Sequence, residues 1–183
     1  MTKVFIGGSR KVSRLDADVC ERIDSIVRQR LHVLIGDANG ADKAVQHYLR
    51  DKGYQLVEVF CAGGVCRNNA GNWPLRAVSV ASKKKDFGFY TAKDRLMAKE
   101  ASVGFMIWDG ASVGTLLNVL RLLRQNKKVA IYSVPARTFN KLNNETDWTN
   151  FVLRFPSDLR QRVEDEAAND EGIHSANEQM ALL

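Results

Sequence analysis

Five short apolar runs, each ending in glycine or polar residues, constrain this chain more than any other feature. They are Val4-Phe5-Ile6, His32-Val33-Leu34-Ile35, Leu56-Val57-Glu58-Val59-Phe60, Val103-Gly104-Phe105-Met106-Ile107-Trp108 and Val129-Ala130-Ile131-Tyr132. Continuous apolar runs bounded by turn signals read as strands buried on both faces. Between them lie stretches of helical period. Asp16 or Asp18 caps a helix that turns Val19, Ile23, Ile26 and Val27 inward, and Ala41 to Lys52 turns in Ala44, Val45, Tyr48 and Leu49. Thr91 caps a short helix to Ala101, and a last helix carries Leu116, Leu117, Val119, Leu120, Leu122 and Leu123. Strands buried on both faces and alternating with helices pair in parallel, with helices covering each side. The pattern predicts an α/β, Rossmann-like doubly wound sheet of five mainly parallel strands over residues 1–135, in the order 3-2-1-4-5. Residues 136–183 read as a C-terminal helical extension: a polar connector, then Trp148–Phe155, then an amphipathic helix from Ser157 to about Asn169 with Leu159, Val163 and Ala167 as its inner stripe.

Composition narrows the class. Hydrophobic residues make up 45% of the 183 residues and charged residues 26%, so the chain has enough apolar material for a folded core. No apolar run reaches a membrane-spanning length, and the first residues lack the shape of a secretory signal. The three cysteines do not suggest a disulfide framework. The spacing of Cys61 and Cys66, with no second pair, does not make a structural zinc site. A reduced, soluble, cytoplasmic protein without metal or cofactor is expected. Charge is uneven: residues 1–135 carry a net +10 and residues 136–183 a net −4. A basic body attracts phosphate-bearing ligands. No zinc-finger, basic-zipper or RNA-recognition pattern accompanies it, so nucleic acid is not expected as the primary partner.

Three loops share one property: each contains glycine and follows the carboxyl end of a predicted strand. They are Gly7-Gly8-Ser9-Arg10, Gly36-Asp37-Ala38-Asn39-Gly40-Ala41-Asp42 and Asp109-Gly110-Ala111-Ser112-Val113-Gly114-Thr115. In open parallel sheets, ligands bind beyond the carboxyl ends where strand order reverses. With the order 3-2-1-4-5, the loops after the first and fourth strands face each other across that point. Glycine admits close backbone approach, and the helix start at Ser112, Gly114 and Thr115 offers N–H groups and hydroxyls to an anion. Arg10 and Arg95 can clamp a phosphate or carboxylate. Asp109 and Asp94 are the candidate catalytic carboxylates, and Asp37 and Asp42 flank the second loop. Residues 61–90 interrupt the rhythm with the basic run Lys83-Lys84-Lys85 and a short strand near Ala77–Ala81, reading as an excursion over the carboxyl edge.

These loops, taken with Lys93-Asp94-Arg95-Leu96-Met97, resemble the SLOG superfamily of Rossmann-like domains (YspA-like, DprA-like and lysine-decarboxylase-like phosphoribohydrolase members). They are also similar to the nucleoside 2-deoxyribosyltransferases. The resemblance covers about residues 1–135. It implies a nucleotide, nucleoside or related ribosylated ligand, and several members break or exchange an N-glycosidic bond. Those enzymes carry a glutamate after the Gly-Thr of the last loop, where this chain has Asn118. An amide cannot act as a carboxylate nucleophile. The resemblance therefore implies a binding, sensing or processing module first and a glycosidase second. It also implies a homo-oligomer, since members often dimerise. Asn118 joins Gly7, Gly8, Ser9, Arg10, Gly36, Asp37, Gly40, Asp42, Arg95, Gly110, Ser112, Gly114 and Thr115 as expected ligand contacts.

Overall fold

The computed structural model describes residues 1–63, 65–79 and 87–181. The elements run β1 (Lys3–Gly8), α1 (Ala17–Arg28), β2 (His32–Gly36), α2 (Ala41–Asp51), β3 (Val57–Ala62), β4 (Leu75–Val78), α3 (Phe87–Glu100), β5 (Val103–Trp108), α4 (Val113–Leu123), β6 (Val129–Ser133), β7 (Thr138–Leu142), α5 (Glu145–Val152) and α6 (Ser157–Ala181). All strands join one sheet in the order β4-β3-β2-β1-β5-β6-β7. The five expected strands are its centre, parallel and in the expected order, with Ile6 opposite both Ile35 and Phe105.

Alternation along the strands divides the core. Val4, Ile6, Val33, Ile35, Val57, Val59, Phe105 and Ile107 point to α1 and α2. Phe5, Leu34, Phe60, Met106, Trp108 and Ile131 point to the face covered by α3 to α6. Each face is a continuous apolar layer, which is why these strands show no polar alternation.

The sheet has seven strands, not five. β4 adds to one edge in parallel and β7 to the other in antiparallel. β7 reads Thr-Phe-Asn-Lys-Leu, with only Leu142 fully buried, because an edge strand after a hairpin needs no apolar run. The expected strand near Ala77–Ala81 is β4, set two residues earlier; positions 80–86, including Lys83–Lys85, lie outside the described residues. Helix α3 begins at Phe87, so Thr91 sits inside it rather than capping it. Helix α6 runs on to Ala181, past the expected end near Asn169. At α1, Asp16 holds the N-cap position without a side-chain cap bond; its carboxylate accepts the Tyr132 hydroxyl at 2.7 Å instead.

Cys61 and Cys66 form a disulfide, which corrects the expectation of a fully reduced chain, and Cys20 is a free thiol. Among the described residues no helix is long and apolar enough to cross a membrane.

Candidate functional site

The loops after β1 and β5 meet over the point where the chain leaves β1 in both directions across the sheet. Their joint is Ser9, fully buried. Its Oγ donates to Asp109 Oδ1 at 3.1 Å, accepts the Asp109 amide at 3.1 Å and lies 3.1 Å from Thr115 Oγ1. Asp109 Oδ1 also accepts the amides of Ala111 at 3.0 Å and Ser112 at 2.8 Å. Ser112 then caps α4, its Oγ accepting the Thr115 amide at 3.4 Å. Asp109 thus folds its own loop through Oδ1 while lining the crevice.

A crevice of about 450 Å³ opens beside this joint. Of the expected residues, Gly7, Gly8, Arg10, Asp42, Asp94, Asp109, Ser112, Gly114, Thr115 and Asn118 line it, whereas Ser9, Gly36, Asp37, Gly40, Arg95 and Gly110 do not. The glycines divide by task. A methyl group at Gly8 would fall on Ile107 O and Ala41 Cβ, so this glycine serves the packing of β1 on β5 and α2. Gly40 (φ +84°) and Gly110 (φ +88°) take the left-handed region that glycine favours, and Gly40 passes against the Arg10 backbone. Gly114 differs: nothing lies within 4 Å of a methyl group placed there, on the first turn of α4 where helix N–H groups face outward.

The second loop carries a buried charge cluster. Asp37 is 1% exposed and accepts Arg67 Nε at 3.0 Å, Arg67 Nη2 at 2.6 Å and the Arg67 amide at 3.1 Å. Burial raises the Asp37 carboxyl, but the Arg67 bonds outweigh it and hold it below the usual range. Lys93 is 4% exposed, 2.8 Å from Asp94 and 4.0 Å from both Asp37 and Asp42. Burial pulls its ammonium down, and the carboxylates of Asp94 and Asp42 overcome that and raise it. Asp42 stands differently. Burial pushes its carboxyl up to about 6 despite the neighbouring Lys93. Gly36 makes room for this pair, since a methyl group there would fall on Asp42 Oδ2 and Lys93 Nζ.

The rim is cationic. Arg10, Lys11, Arg67 and Arg162 line the crevice, and all four are exposed. The Tyr90 ring lies between two of them, 5.5 Å from the Arg10 guanidinium and 4.8 Å from that of Arg67. Arg95 is turned away: its Nε donates to Asp170 of α6 at 2.8 Å. Lys11, Arg67, Tyr90, Lys93 and Arg162 escaped the sequence reading. Lys93 was visible within the Lys-Asp-Arg motif, but two of its three carboxylate neighbours, Asp37 and Asp42, lie 51 or more positions away in the chain. Arg67 and Arg162 come from the excursion and the C-terminal helix, which no local spacing joins to the glycine loops.

Asp37 and the sulfurs of Cys61 and Cys66 offer three potential ligand atoms within 4.8 Å of one another. The sulfurs are bonded to each other and Asp37 is taken by Arg67, so the trio as it stands does not fit a metal ion. No family model, no curated protein and no solved structure matches the chain.

Proposed function

We propose that the crevice binds a phosphate-bearing nucleotide or a related ribosylated ligand and that the protein acts as a sensing or processing module of the SLOG type. One observation carries the reading. Arg10, Lys11 and Arg162 line the crevice with no carboxylate partner among the described residues, beside the open first turn of α4 at Gly114. Cations left unpaired around a concave site, next to helix N–H groups, suit an anion of several oxygens. Tyr90 supplies a ring face at the same rim. A cytoplasmic homo-oligomer without cofactor belongs to the same proposal.

N-glycosidic cleavage is the second reading, and a specific observation moves it from Asp109 to Asp94. Asp109 Oδ1 is engaged by three donors, whereas each Asp94 oxygen accepts a single bond and its side chain is 19% exposed in the crevice. A thermal-shift series with nucleosides, nucleoside mono-, di- and triphosphates, NAD and ADP-ribose tests both. Phosphate-bearing ligands are expected to raise the melting temperature, with about 2.7 kcal/mol of stabilisation at a hundredfold excess over Kd. Chromatography of each stabilising mixture then separates the two readings. Intact ligand supports a binding module, and free base that vanishes in Asp94→Asn supports an enzyme. If no phosphate-bearing ligand shifts the transition while DNA binds with a steep salt dependence, the nucleotide reading falls.

A further inference from the structure

A carboxylate on the wall of a cationic crevice offers an acceptor where its neighbours can only donate. Asp94 is such a group. It lines the crevice with Arg10, Lys11, Arg67 and Arg162, its charge is met by buried Lys93, and its side chain is 19% exposed, which leaves lone pairs open to a donor. Its position is fixed from both sides: Oδ1 accepts Lys93 Nζ at 2.8 Å and Oδ2 accepts Asn118 Nδ2 at 3.4 Å.

The orientation of Asn118 is itself forced. Its Oδ1 accepts Arg121 Nη1 at 2.5 Å. A guanidinium can only donate and a carboxylate can only accept, so an amide between them satisfies both in one orientation alone. Arg121 is held in turn by Asp170 of α6, its Nε and Nη2 each donating at 2.7 Å to separate carboxylate oxygens. Arg121 is 7% exposed, and this planar fork against a carboxylate fixes direction as well as charge. The chain of contacts runs Asp170, Arg121, Asn118, Asp94, from the C-terminal helix to the crevice wall.

Asn118 lies about one helical turn beyond Gly114, and Asp94 meets its side chain at 3.4 Å on the wall of the same crevice. A phosphate at the open first turn of α4 would therefore bring the sugar attached to it, rather than the more distant base, toward Asp94. We propose that Asp94 accepts the 2′,3′-diol of a ribonucleotide seated in the crevice, and that Asp170 on α6 is a positioning residue that sets this preference through Arg121 and Asn118. The proposal rests on the nucleotide reading above. It gives α6 a task beyond covering α4, and it gives Asn118 a task that a glutamate could not perform, since a second carboxylate beside Asp94 would repel it.

The test is calorimetric titration with ADP, GDP, CDP and UDP, with their 2′,3′-dideoxy counterparts, and with pyrophosphate. Wild-type protein is expected to bind at least one ribonucleoside diphosphate about tenfold or more tightly than its dideoxy form. Asp94→Asn is expected to erase that ratio, Asp170→Asn to reduce it severalfold, and Asp170→Glu to restore part of it. Asn118→Leu, which leaves the Asp170 ion pairs in place, is expected to match Asp170→Asn and serves if that variant does not fold. Equal binding of ribo and dideoxy forms by wild type overturns the diol contact while the nucleotide reading stands. A full ratio in both Asp170→Asn and Asn118→Leu overturns the role of α6. If neither the diphosphates nor pyrophosphate bind, the nucleotide reading fails and the diol contact fails with it.

Discussion

Ser9 and Asp109, 100 positions apart in the chain, exchange two hydrogen bonds at 3.1 Å: the serine hydroxyl donates to the carboxylate and accepts the aspartate amide. This reciprocal pair clasps the loops after β1 and β5, which sit on neighbouring strands and enclose the crevice. Ser9→Ala strands the half-buried Asp109 amide and removes one donor from its carboxylate. An unsatisfied buried group costs about 1–3 kcal/mol, so Ser9→Ala is expected to lower the urea midpoint by that equivalent. Unchanged stability would show that the clasp carries no energy.

Two glycines from the same set of loops separate structure from binding. Gly36→Ala drives a methyl group into Asp42 and Lys93, so the buried ion cluster must shift. The expected cost is about 1–3 kcal/mol, as for other overpacked interiors. Gly114→Ala meets open space on a helix first turn. It is expected to leave stability the same or raise it by up to about 1 kcal/mol, while weakening a phosphate-bearing ligand about tenfold. Urea unfolding and titration of the two variants side by side check this contrast, and equal effects on both properties would refute the division of tasks.

Asp42 makes stability depend on pH in an unusual direction. Its carboxyl titrates at about 6 in the folded protein against 3.8 for the free group, so between these values the folded state binds more protons than the unfolded one. Its contribution to stability therefore falls as pH rises through this window, by an amount on the order of 3 kcal/mol. Asp37 and Asp170 act oppositely, since their carboxyls are held low and their contributions are lost only as pH falls below the usual carboxylate range. Unfolding of wild type and Asp42→Asn from pH 4 to pH 7 checks the sign: the variant is expected to gain on wild type across the window. A difference that is flat with pH would contradict it.

The sheet centre was legible because each of its strands is buried on both faces, and such a strand must be apolar throughout. Phe5 and Ile6 face opposite layers, so neither position tolerates a polar residue. β7 was hidden by the same physics, since an edge strand after a hairpin follows no such rule and Thr138–Leu142 reads as connector. In the site, the glycine loops were legible as turns, but their targets were not. Nothing in the sequence shows that a side chain at Gly8 would meet Ile107, or one at Gly36 the Asp42–Lys93 pair. The bonds of Asp109 were not legible either, since its sequence position gives no sign of the amides of Ala111 and Ser112 that its carboxylate accepts. The cations of the rim come from three separate segments, and only the fold brings Arg162 near Arg10.

Arg67 ties the excursion to the crevice and follows directly on Cys66, whose bond to Cys61 anchors this turn to the end of β3. The arginine uses its backbone amide and two guanidinium nitrogens on Asp37 while its face lies over Tyr90. Opening the disulfide frees the segment leading into Arg67 without touching Asp37 or Tyr90. Chain-entropy scaling for so short a loop gives about 2 kcal/mol of lost stability. The Cys61→Ser, Cys66→Ser double variant is therefore expected to unfold at lower urea by that equivalent. It is also expected to bind a phosphate-bearing ligand several-fold more weakly, because Arg67 loses its fixed place at the rim. Dithiothreitol should do the same to wild type and nothing to the double variant. If the variant loses stability but keeps full affinity, Arg67 is held by Asp37 alone and the disulfide has no part in shaping the crevice.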